Sequence, residues 1–147
     1  MPDDIASSNV NRSFSLSATS IAIFTFTLVF LYPRYSAGEI DGLLFQAALI
    51  VMGVATFCLA LASVHYYGSS LVGHVDDASR RAYARRGDDF WGAGYYLLFL
   101  SPSLILFTVG LVVVGSVWFG LWALALFWGV RHFPGFRSRP DHGGPAA

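Results

Sequence analysis

The residues able to do chemistry in this chain are few: His65, His74, His132, His142, one thiol at Cys58, and nine acidic side chains. His65 and His132 fall near the ends of two apolar runs. Two neutral imidazoles facing each other there could ligate haem iron, and His74 with Asp76 could contribute to a metal site. Against this, there is no His pair in mid-run, no i,i+4 His motif and no Cys-x-x-Cys-His attachment sequence. An interfacial histidine needs no cofactor, so haem is a third reading and no other cofactor is expected. Cys58 stands alone, which excludes thiol–disulfide exchange within the chain. No carboxylate pair, nucleophile–base set or glycine-rich phosphate loop stands out, and Gly92-x-Gly94 is too short to be one. The pattern leans away from an enzyme.

The elements that must position these residues are set by three uncharged stretches, Ser13 to Pro33, Gly42 to Val75 and Phe90 to Val130. The last holds 41 residues. As one helix it would reach roughly 60 Å, about twice a bilayer's hydrocarbon core, so it must fold back on itself. The expected fold is an all-α integral membrane protein, one membrane domain of four transmembrane helices over about 15–35, 42–67, 90–108 and 110–131. Helices 3 and 4 form a tight hairpin turning near Thr108 to Gly110. Pro102 then sits inside helix 3 and kinks it, with Ser101 and Ser103 able to bond freed carbonyls. Polar tails cover 1–14 and 132–147.

The connector 68–89 is the one substantial polar piece. Residues 75–86 read as a short cytoplasmic amphipathic helix, acidic at Asp76 and Asp77, basic at Arg80, Arg81, Arg85 and Arg86, and ended by Gly87. Asp88 and Asp89 then suit the capping of helix 3. With both termini cytoplasmic, eight of the nine arginines lie inside and only Arg34 outside, a clear positive-inside bias. The expected location is therefore the cell membrane, multi-pass. The complete absence of Lys hints at a GC-rich prokaryotic genome.

No Asp, Glu, Lys or Arg lies within the inner parts of the expected spans, which argues against a proton-coupled carrier working alone and against a voltage sensor. Gln46 is the polar group that cannot satisfy itself locally, so it should seek a partner on another helix. Gly53, Thr56, Ala60 and Ser63 recur at spacings of three and four, a small-residue seam that lets another helix approach closely. The partners expected are the lipid bilayer and either further copies of the chain or a larger membrane protein. Nucleic-acid binding has no support. The leading expectation is a non-enzymatic subunit acting through helix–helix packing. The alternative is a homo-oligomeric ion channel, its pore lined by helix hydroxyls with selectivity near Ser101-Pro102-Ser103.

Overall fold

The computed structural model describes residues 2–71 and 74–132. Among them the fold is all-helical, with four helices long and apolar enough to cross a membrane. They are α1 (Pro2–Ser36), α2 (Gly42–Ser70), α3 (Asp77–Thr108) and α4 (Val112–His132). Two connections end in the same way. Gly38 and Gly110 take positive φ, 71° and 80°. In each, the amide after the glycine bonds the carbonyl five residues back, Glu39 to Arg34 and Leu111 to Leu106. This is the Schellman arrangement, and it satisfies carbonyls that a helix end would otherwise leave free. Asp41 caps α2 by accepting from the Leu44 amide at 2.8 Å, and Asp76 caps α3 by accepting from the Ser79 amide at 3.0 Å.

The connector differs from expectation. No separate amphipathic helix exists over 75–86: α3 runs unbroken from Asp77 through Gly87 and on through Pro102 to Thr108. Gly87 does not stop the helix because it lies under the Tyr66 ring of α2, where an added Cβ would come within 2.9 Å. Tight helix packing at this point overrides glycine's weak helix propensity. Asp88 and Asp89 are therefore interior residues of a 32-residue helix and cap nothing. The tail before residue 15 is likewise helical, with α1 starting at Pro2.

α2 is the organising helix, with α1 packed along one side and α3 along another, while α4 packs on α3. Its buried residues are Phe45, Ala48, Met52, Ala55, Leu59, Ala62, Tyr66 and Ser69. The spacings alternate three and four without a break, the 3.5-residue period of a left-handed helix pair. Large and small side chains alternate along it. α1 answers with a polar stripe of the same period, Ser13, Ser17, Ser20 and Thr27 buried, with Phe24 and Leu31 half-buried in the gaps. Small hydroxyl residues let two backbones approach closely where lipid supplies no hydrophobic drive. α3 presents Gly87, Gly94, Ser101 and Thr108, each one heptad from the next and all buried.

Candidate functional site

Every helix contact in this row carries polar fasteners. Between α1 and α2 the Ser20 and Thr56 hydroxyls share a hydrogen bond of 2.7 Å. Near the other end of the same contact the Gln46 amide donates to the Tyr35 hydroxyl at 3.0 Å. Gln46 does reach a partner on another helix. Between α2 and α3 the Tyr66 hydroxyl donates to an Asp88 carboxylate oxygen at 2.6 Å, and Arg80 Nε donates to the Ser69 carbonyl at 2.9 Å. Between α3 and α4 two indoles reach across: Trp118 Nε1 to the Phe99 carbonyl at 3.1 Å and Trp122 Nε1 to the Tyr96 carbonyl at 2.9 Å. At the Tyr66 end, the Arg12 guanidinium lies 4.8 Å from the centre of the Trp91 ring, tying α1 to α3.

The expected seam on α2 divides between two environments. Thr56 faces α1 through Ser20, and it also donates to the Met52 carbonyl at 2.8 Å. Ser63 is half-buried and bonds the Leu59 carbonyl. Gly53 and Ala60 are exposed, and a Cβ added at Gly53 would meet nothing within 4 Å. Half of the seam is thus used within the chain and half faces outward.

Pro102 has no N–H for the Leu98 carbonyl one turn back, the usual defect of a proline inside a helix. Ser101 repairs it, its hydroxyl donating to that carbonyl at 2.7 Å. Ser103 is fully buried and its hydroxyl has no hydrogen-bond partner. Pro102 itself borders a cavity of about 590 Å³ between three helices. Ile23 of α1 forms one wall, Leu98, Phe99, Ser101, Pro102, Ile105 and Leu106 of α3 the floor, and Val114 and Trp118 of α4 the other wall. The polar groups in that lining are the Ser101 hydroxyl, which donates to the Leu98 carbonyl, and the Trp118 indole N–H, which donates to the Phe99 carbonyl. Such a groove suits an apolar chain or a helix face and offers little to an ion.

His65 is held on α2 with Nδ1 2.8 Å from the Leu61 carbonyl. A carbonyl can only accept, so Nδ1 is the donor in this bond. Its ring lies beside Phe90 and Tyr83, with centroids at 5.2 and 6.2 Å. His132 ends α4 at the same end of the row, and its side chain lies outside the described residues. Among the described residues, no group of three or more His, Cys, Asp or Glu side chains is placed to hold a metal ion.

Several working residues escaped sequence reasoning. Ser13, Ser17 and Ser20 were passed over, the first assigned to the polar tail and the other two lying inside the expected first span, although their spacing already follows the 3.5-residue period. Gly94 was passed over as an incomplete loop motif, yet a Cβ there would come within 2.8 Å of Leu59 and 3.0 Å of the Ala55 carbonyl. The Tyr66–Asp88 bond spans 22 residues and has no local signal. No protein-family model matches this chain, and neither the curated proteins nor the solved structures contain a match to it.

Proposed function

We propose that this chain is a small non-enzymatic multi-pass membrane protein that works through helix–helix packing, as a self-assembling or accessory subunit of a membrane complex. In that reading it sits in a prokaryotic cell membrane with both termini cytoplasmic and with α3 and α4 crossing as a hairpin. The observation that carries it is the open row. α4 packs on α3, its remaining surface is mostly exposed, and the groove between α1 and α4 is lined by apolar side chains. Outward-facing Gly53 and Ala60 on α2 add a second place of close approach.

The channel reading draws less support, because the groove beside Ser101 is lined almost wholly by apolar side chains and Ser101 itself is buried. Native mass spectrometry of the protein gently extracted from its host's membranes separates the readings. The expected result is a defined complex, with itself or with another polypeptide, that loses subunits in Gly53→Leu or Ala60→Leu. A monomer in the parent protein and in both variants would overturn the proposal. A closed homo-oligomer that conducts ions in a planar bilayer, with conductance altered by Ser101→Ala, would favour the channel.

A further inference from the structure

The α2–α3 contact is a repeating track. On α2 the large buried residues Phe45, Met52, Leu59 and Tyr66 follow one another at seven-residue intervals. On α3 the small buried residues Thr108, Ser101, Gly94 and Gly87 do the same. Two contacts set the pairing, Tyr66 over Gly87 and Leu59 over Gly94, and they run antiparallel. Stepping seven residues further along both helices brings Met52 level with Ser101 and Phe45 level with Thr108. Large faces small at every step.

A track of this kind is nearly indifferent to sliding by one repeat. Moved one heptad along α2, about 10 Å at 1.5 Å per residue, α3 again sets a small residue opposite each large one it meets. One seating would place Leu59 over Gly87 and Met52 over Gly94, and the other would place Tyr66 over Gly94 and Leu59 over Ser101. Along the track itself shape separates these seatings only by the single pair lost at the end, while beside the track the Tyr83 ring against Gly68 and the Phe90 ring beside His65 would have to re-seat. A buried polar pair that can form in one register is the known device for choosing among otherwise equivalent helix pairings.

We infer that the hydrogen bond from Tyr66 to Asp88 is the register pin of this track, and that without it α3 has a second seating one heptad away. Tyr66 is 5% exposed and its hydroxyl lies 2.6 Å from the carboxylate of Asp88, which is itself exposed, so the bond is enclosed on the tyrosine side and open on the other. A shift in either direction carries Asp88 out of its reach. Another polar tie across this contact, Arg80 Nε to the Ser69 carbonyl, uses a backbone acceptor. Every residue of the chain offers such an acceptor, so that tie discriminates less between seatings. α4 is fastened to α3 through Trp118 and Trp122, so it travels with α3. Sliding would therefore move the floor and one wall of the groove past Ile23 of α1. The device is a shear element, of the class in which one helix steps along another between discrete positions.

The test is a distance measurement on the full chain in lipid nanodiscs. Spin labels go on Ile50→Cys and Ala82→Cys, both exposed, in a Cys58→Ala background. In the present register these positions lie ~30 Å apart along the helix axes, and a one-heptad slide changes that by ~10 Å. The parent should give one distance. Tyr66→Phe, which keeps the ring over Gly87, should add a second discrete distance shifted by about 10 Å. Asp88→Asn, which keeps an acceptor for the hydroxyl, should keep the single distance of the parent. Asp88→Leu removes the acceptor from the other side and should reproduce the shifted population. A single unshifted distance in both Tyr66→Phe and Asp88→Leu would overturn the inference, as would a broadening with no second peak.

Discussion

The two contacts made by α3 are built on different principles. Toward α2 it offers small residues on a heptad repeat, and α2 fills them with large side chains that are 0–5% exposed. Toward α4 the tight points are Gly115 against the Phe107 ring and Gly129 against the Tyr96 hydroxyl, together with the two indole bonds. Most of α4 is otherwise exposed, with Val113, Leu121, Leu124 and Phe127 all more than half accessible. The first contact holds by interdigitation along its whole length and the second by a few fasteners. In a bilayer there is no hydrophobic force pulling α4 inward, so a helix with this surface rests equally well on lipid or on another helix.

That contrast predicts unequal sensitivity, largest at the track. Gly94→Val should cost about 3 kcal/mol of stability, because the added carbon meets the Ala55 carbonyl, a backbone atom that cannot step aside. Gly120→Val on α4, with nothing within 4 Å, should stay within about 0.5 kcal/mol of the parent. Denaturation of both variants in mixed detergent micelles gives the two numbers. Equal effects would dissolve the distinction between the contacts. A second pair sharpens it by removing volume instead of adding it. Leu59→Ala opens a hole in a fully buried site and should cost about 2 kcal/mol, whereas Leu124→Ala should be nearly silent. Next comes Trp122→Phe, which retains most of the ring but loses the bond to the Tyr96 carbonyl. Bonds of this kind between membrane helices average about 0.6 kcal/mol. A loss several times larger would mean that α4 is held mainly by that indole.

The legible part of the molecule was the part governed by composition and period. Four apolar helices follow from uncharged length, and Gly38 and Gly110 announce their turns by residue type alone. The repair of Pro102 by Ser101 was open to view because the defect and its remedy are adjacent in sequence. The connector was misread for a physical reason. Gly87 carries a local signal to stop a helix, and only the Tyr66 ring, 21 positions earlier, explains why the helix continues there. The acids at 88 and 89 were then assigned to a helix start that does not exist. The small-residue seam on α2 was noticed, but the buried row one position before it, with Ala55, Leu59 and Tyr66, is what packs against α3. Alternation of large and small side chains at a period of 3.5 was the available signal. A count of small residues alone did not reveal it.

The weakest expected effect lies at the first turn of α3, where the comparison reaches its limit because the capping Asp76 is exposed. Asp76 accepts from Ser79, and the Ser79 side chain and amide together hold its carboxyl below the usual carboxylate value of 3.8. A depressed folded-state value means the carboxylate form favours the folded helix. That contribution is present in full above the unfolded value and fades as pH falls through the folded one. Asp76→Ala should therefore speed amide exchange at Ser79 and Arg80 at pH 6. The same substitution should matter progressively less once the medium is acidic enough to protonate the native cap. Because α3 continues past this turn into the Gly87–Tyr66 contact, the loss should stop before Gly87. Exchange that spreads beyond Gly87 in the variant would show that the cap and the track unfold as one unit.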